Sequence, residues 1–190
     1  MSLRKPETRL SVAEYLEGEK DSPVRHEYVE GYVYAMAGAS DRHNRISLNI
    51  ASRLNDLLGE GPCEVFMADM KVMASPEIYY YPDVMVSCDP PGGDAYSRAQ
   101  PVLLIEVTSP NTHRADHHEK LLAYKRIASL REYALIAQDQ MLVEVHRRQE
   151  GDHWDQEVLN QPDEQLRFES VGLNLSLAEV YRNVRFAEPA

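Results

Sequence analysis

Long apolar runs are missing from this 190-residue chain. None approaches the ~18 residues that a membrane-spanning helix needs, so no membrane span is expected. Cysteine is scarce: only Cys63 and Cys88 occur. Two are too few for a disulfide framework, and they read as buried free thiols in a reducing compartment, which makes the cytoplasm the expected location. The opening residues Met1-Ser2-Leu3-Arg4-Lys5-Pro6 carry no apolar segment of the secretory kind. Positive charge is also short. Lys and Arg number 20 against 31 Asp and Glu, a net charge of −11. Such a balance opposes non-specific nucleic-acid binding, because phosphate contacts come mainly from Lys and Arg. It does not exclude it: Arg114, Lys120, Lys125, Arg126 and Arg131 gather in the middle of the chain, and a bound cation reverses a local acidic field. There is no internal repeat, low-complexity segment or linker. A chain that is 43% hydrophobic and 27% charged suits one domain over residues 1–190, with 1–9 frayed.

Several element boundaries are written in the sequence. Ser11-Val12-Ala13-Glu14 is a capping-box pattern opening a short helix that Gly18 should end. His26–Glu30 and Tyr32–Met36 read as two strands joined about Gly31. Ser40 or Asp41 can cap a helix in which Ile46, Ile50, Leu54 and Leu57 recur at helical spacing before Gly59 stops it. Residues 63–74, 79–88 and 102–108 read as strands. A helix capped by Asp116 should run to about Ser129. Strands at 133–137 and 141–146 follow, then a weaker pair near 153–159 and 165–169 that reads as a terminal hairpin. Ser176-Leu177-Ala178-Glu179 caps a final short helix. This order describes an α/β domain with a mixed central β-sheet flanked by helices.

Two apolar runs carry one carboxylate each: Asp83 in Tyr81-Pro82-Asp83-Val84-Met85-Val86 and Glu106 in Leu104-Ile105-Glu106-Val107. A carboxylate inside a buried strand costs several kcal/mol of desolvation if left alone, so each needs a partner. A divalent cation shared between two neighbouring strands supplies one. Mg²⁺ suits this oxygen set, with Mn²⁺ able to replace it. Glu106 should face the site while Val107 faces the opposite side, which leaves the Val107 backbone carbonyl as a further ligand. Lys120 follows on the next helix, where it can orient or deprotonate an attacking water or screen charge. Two acids and a lysine around a metal are the parts of a hydrolytic phosphodiester site.

The ordered series Tyr81-Pro82-Asp83-Val84, Ile105-Glu106-Val107-Thr108-Ser109-Pro110-Asn111-Thr112, Asp116, Glu119-Lys120-Leu121, Tyr124 and Glu132-Tyr133, with His26-Glu27-Tyr28-Val29-Glu30-Gly31 and Arg42-His43-Asn44-Arg45-Ile46 before it, resembles the PD-(D/E)xK nuclease superfamily. Within it the chain is similar to the Uma-two family of restriction-type endonucleases, over about residues 10–185. The resemblance implies a restriction-endonuclease-like fold and Mg²⁺-dependent hydrolysis of DNA, leaving a 5′-phosphate and a 3′-hydroxyl. It also brings in Glu27, at the position of an early acid that often joins the metal cluster. In the superfamily the motif carrying Glu106 reads carboxylate, any residue, lysine; here Thr108 stands in the lysine position, and the family resemblance assigns the role to Lys120. Cutting both strands of a duplex is simplest for a two-fold homodimer, and the Tyr-rich 28–34 ribbon and the late strands offer apolar edges.

Plainer readings stand beside these. Glu106 can form a buried ion pair with Lys120, or Lys120 can pair with Asp116 at i, i+4 on a solvated face. Asp83 can be an ordinary turn acid, and Glu27 part of a solvated strand face. His43 is an accessory candidate for substrate or metal, or a capping residue. His113, His117 and His118 lack zinc-site spacing. Tyr79-Tyr80-Tyr81 could stack on bases, though tyrosines at a strand start more often pack. The competing functions are a catalytically silent nuclease fold serving as a binding or regulatory module, and a metal hydrolase of small phosphate esters.

Overall fold

The computed structural model describes residues 9–90, 93–109 and 115–186. Helix α1 (Val12–Lys20) opens on a reciprocal capping box: the Ser11 side chain accepts from the Glu14 N–H, and the Glu14 carboxylate accepts the Ser11 N–H at 2.8 Å. It runs through Gly18 instead of ending there. An internal glycine costs only about 1 kcal/mol, and the buried Tyr15 and Glu19 anchor the turns on either side of it. The two expected strands, β1 (His26–Val29) and β2 (Tyr32–Ala35), pair as a hairpin, with Gly31 at φ 95° in the turn. Helix α2 (Asp41–Leu58) is capped by Ser40, which accepts from the His43 N–H at 3.1 Å, and ends on Gly59 at φ 51°. Ile46, Ile50 and Leu54 are fully buried on one stripe of it.

The run 63–74 divides into β3 (Glu64–Met67) and β4 (Lys71–Ser75), and the run 79–88 into β5 (Ile78–Tyr80) and β6 (Val84–Ser87). In each run the two halves belong to different sheets. Pro82 explains the second break, because it has no N–H to give a ladder. Ala68, at φ 53°, turns the chain in the first, and its N–H bonds the Asp83 carbonyl at 3.2 Å. Strands β7 (Ser97–Arg98) and β8 (Pro101–Thr108) follow. Helix α3 (Ala115–Lys125) begins before Asp116; the side chains of Asp116 and His117, and the whole of His113, lie outside the described residues. The helix ends at Lys125, short of Ser129, where Arg126 and Ile127 bond back only three residues. Strands β9 (Glu132–Ala137), β10 (Val143–Arg148), β11 (Trp154–Leu159), β12 (Gln165–Phe168) and β13 (Leu173–Ser176) precede α4 (Leu177–Val180), which has the expected Ser176–Glu179 capping box. The expected hairpin of 153–159 with 165–169 does not form. Instead β11 pairs with β10, and β12 pairs with β13.

A six-stranded sheet, ordered β11-β10-β9-β8-β6-β3, is the mixed sheet read from the sequence: β8 and β9 run parallel through the α3 crossover, and the other neighbours are antiparallel. A five-stranded sheet, β2-β1-β5-β4-β7, is a second layer. The two faces of β8 divide the core. Leu103, Ile105 and Val107 pack with α2, β12, β13 and α4, whereas Leu104 packs with Tyr80, Tyr124 and Tyr133 on the side of α3 and the second sheet. Period-two alternation therefore aims Glu106 toward α3.

Cys63 and Cys88 are bonded to each other. They are not free thiols, so they give no basis for inferring a reducing compartment. The β3–β6 register pairs Glu64 with Ser87, which puts the next residues outward, Cys63 and Cys88, opposite one another with Cα atoms 4.1 Å apart. Among the described residues no helix is long and apolar enough to cross a membrane.

Candidate active site

Asp83 occupies the bend just before β6, beside the strand that carries Glu106; Val84 pairs with Ile105. Its two carboxylate oxygens have different partners. Oδ2 accepts the Val107 main-chain N–H at 2.6 Å, and Oδ1 lies 3.1 Å from His43 Nε2. Val107 thus reaches the site through its N–H. His43 is delivered by the first turn of α2. Burial works against a charged imidazole there, but the hydrogen bond and charge of Asp83, with Glu106 behind it, outweigh burial and hold the His43 pKa above its ordinary value.

Glu106 projects from the middle of β8 into the layer beneath α3 and is 7% exposed. It accepts the Tyr124 hydroxyl at 2.9 Å and two contacts from Lys120 Nζ at 3.4 and 3.5 Å. Burial is the largest influence on this carboxyl and pushes its pKa well up; Lys120 opposes that, Asp83 and Glu27 add to it, and Tyr124 tempers it. Lys120 is itself 7% exposed, so it does not lie on a solvated face. Its ammonium lies 2.6 Å from Glu27 Oε1 on β1 and over the Tyr80 ring at 5.3 Å.

The contacts form two sets, Asp83 with His43 and the Val107 N–H, and Glu106 with Lys120 and Glu27, and the sets are neighbours because Val107 follows Glu106 on β8. Tyr124 belongs with them. It stands in the quoted motif, but only the packing of α3 over β8 shows that its hydroxyl serves Glu106. Glu132, from the same motif, lies elsewhere: it accepts from Arg147 and from the Glu169 and Ser170 N–H groups. His118 is exposed, and Tyr79, Tyr80 and Tyr81 are buried and pack, so they present no stacking surface.

The donor set suits a hard cation. It consists of carboxylate oxygens, and Mg²⁺ typically takes one or two of these while keeping waters. Among the described residues no three His, Cys, Asp or Glu side chains converge as a ready-made metal cage; Lys120 separates the oxygens of Glu27 and Glu106.

Residues 12–178 match the family model Uma2, described as "Putative restriction endonuclease". An uncharacterized Synechocystis protein, slr1290, is 31% identical over 184 residues, covering 95% of this chain and 96% of its own. A second from the same organism, sll1609, is 36% identical over 147 residues, covering 75% of this chain and 82% of its own. Among solved structures, a chain from Anabaena variabilis described as a "putative nuclease belonging to DUF820" superposes with a TM-score of 0.74 at 20% identity, covering 90% of this chain and 97% of that one. That likeness shows a shared fold. With the family model spanning most of its length, the chain belongs to the Uma2 family of restriction-endonuclease-like proteins.

Proposed function

We propose that this protein is a Mg²⁺-dependent endonuclease that hydrolyses DNA phosphodiester bonds at the Asp83–Glu106–Lys120 site. The observation that carries this reading is the buried Glu106 carboxylate, set beside a main-chain-anchored Asp83 and facing the ammonium of Lys120. Asp83, Glu106 and the Val107 carbonyl would hold the cation, and Glu27 stands close enough to Lys120 to join or release it. The bound ion supplies an acidified water and neutralises charge on the phosphate. The chain's own groups do the rest. Val107 N–H and His43 fix the rotamer of Asp83, and Tyr124 fixes that of Glu106. Lys120 donates from Nζ toward the attacking water or the phosphate oxygens, and leaves Glu27 to do so. In-line attack then yields a 5′-phosphate and a 3′-hydroxyl. Two copies about a two-fold axis would cut both strands.

One observation favours a second reading, a catalytically silent binding module. Lys120 already pairs with both Glu106 and Glu27, and acids that have a cation as partner do not need a metal. Incubating the protein with supercoiled plasmid and Mg²⁺ or Mn²⁺, beside Asp83→Asn and Glu106→Gln, separates them. Nicking by the wild type alone supports the nuclease. Metal-independent inactivity of all three, with no metal uptake by calorimetry, supports the module.

A further inference from the structure

Helix α1 contributes no residue to the site, yet two of its side chains grip the segments that do. The Tyr15 hydroxyl donates to the His26 carbonyl at 2.7 Å. Glu19 Oε1 accepts the His26 N–H at 2.8 Å, and its Oε2 sits 3.1 Å from His26 Nδ1. The peptide groups on both sides of His26 are thereby held, and the next residue is Glu27. The same Glu19 Oε1 accepts the Tyr81 hydroxyl at 3.0 Å, two residues before Asp83. Lys71 Nζ donates to the Tyr81 oxygen at 3.5 Å.

All four side chains are buried: Tyr15 is 2% exposed, Glu19 4%, Lys71 5% and Tyr81 1%. A helix that only had to dock would use an apolar residue at position 19, because a buried carboxylate is costly to desolvate and often no more stabilising than well-packed apolar groups. The charge at Glu19 is instead met by groups on β1 and on the 81–83 bend. These segments lie in different parts of the chain, and Glu19 Oε1 is a point they share.

We infer that Glu19 is a positioning residue for the cleavage site: its carboxylate, bridging the His26 main chain and the Tyr81 hydroxyl, sets where Glu27 and Asp83 stand relative to each other. The inference rests on the nuclease reading for its consequence, and on hydrogen-bond geometry for its substance. Glu19→Gln keeps one oxygen where Oε1 accepts both bonds, so it should rescue. Glu19→Ala removes the bridge. Tyr81→Phe removes only the Asp83 half of it and preserves the ring.

Two readouts are taken on each variant. One is the Mg²⁺ concentration giving half-maximal plasmid nicking. The other, measured without metal, is the Val107 amide proton shift in ¹⁵N-labelled protein, which reports the Asp83 Oδ2 hydrogen bond. Glu19→Ala should raise the half-maximal Mg²⁺ by about 10–100-fold, the usual effect of losing a partner behind a metal ligand, and move the Val107 amide proton upfield. Tyr81→Phe should do both more weakly, and Glu19→Gln should stay near wild type. Leu166→Ala, a core truncation in β12, is the control for mere destabilisation and should change neither. If Glu19→Ala and Tyr81→Phe lower the melting temperature but leave both readouts at the wild-type value, the positioning role is overturned. If wild type never nicks DNA but the Val107 amide still moves in these two variants, positioning stands and the nuclease reading falls. Should Glu19→Ala not fold, Tyr81→Phe decides alone.

Discussion

The Asp83 carboxylate accepts the Val107 main-chain N–H at 2.6 Å, tying the bend before β6 to the strand that carries Glu106. Asp83 therefore has a structural duty as well as its proposed one. Asp83→Asn retains an oxygen for that N–H; Asp83→Ala leaves it stranded, at a cost of about 1–3 kcal/mol. Relief of repulsion with Glu106 offsets part of this loss. Both variants should lose nicking activity, and urea titration should show the alanine variant less stable than the asparagine one. Equal stabilities would mean that the Val107 bond contributes nothing.

His146 gives a pH prediction away from the site. It is 6% exposed on β10 and stacks on Tyr133 with ring centroids 6.2 Å apart. Burial, aided by nearby Lys125, lowers its pKa from 6.5 to about 4. The unfolded chain thus binds a proton that the folded chain refuses, so stability is fully present above pH 6.5 and falls as pH drops toward 4. The loss should reach about 2 kcal/mol once solvent screening is allowed for. His146→Phe should flatten this part of the pH–stability curve; an unchanged slope between pH 6.5 and 4 would assign it to other groups.

The Cys63–Cys88 bond joins the β3 edge strand to β6 at the end remote from Asp83. It links positions separated by 25 residues, a loop for which the chain-entropy model gives about 3.5 kcal/mol. Replacing both cysteines by serine should lower the urea midpoint accordingly. Nicking of plasmid, measured well below the new melting temperature, should persist, because Asp83 keeps its bonds to Val107 and His43.

What the sequence made legible follows a physical pattern. Caps depend on residues three apart: those at Ser11 and Ser176 appear as read, and of the two candidates Ser40 and Asp41 the first is the cap. Alternation along 103–107 correctly divided Glu106 from its neighbours. Contacts that depend on how elements pack were not legible. The bond from Tyr124 to Glu106 spans 18 positions and that from Tyr81 to Glu19 spans 62, and neither has a local signature. The strands at 63–74 and 79–88 looked continuous because hydrophobicity does not mark a switch of sheet; Pro82 was the clue in the second. The cysteines met only because of the β3–β6 register, which their spacing does not encode.

Lys120 separates the proposed chemistry from simple ion pairing. Its ammonium lies between Glu27 and Glu106, nearly without solvent. Lys120→Met leaves the buried Glu106 and the half-buried Glu27 carboxylates facing each other, and breaking a buried pair in this way typically costs about 3–5 kcal/mol. Both readings expect that loss, so stability alone decides nothing. The double variant Lys120→Met with Glu27→Gln removes one of the stranded charges and should recover much of the stability. The readings then part. If Lys120 acts on the water or the phosphate, the double variant should fold and bind Mn²⁺ yet nick plasmid some 10²–10⁴-fold more slowly than wild type. If Lys120 only balances charge, restoring the balance should restore nicking to within a few-fold of wild type. Single-turnover nicking rates at saturating Mn²⁺, with folding checked by circular dichroism, distinguish the two, and recovery of the rate in the double variant would remove Lys120 from the reacting groups.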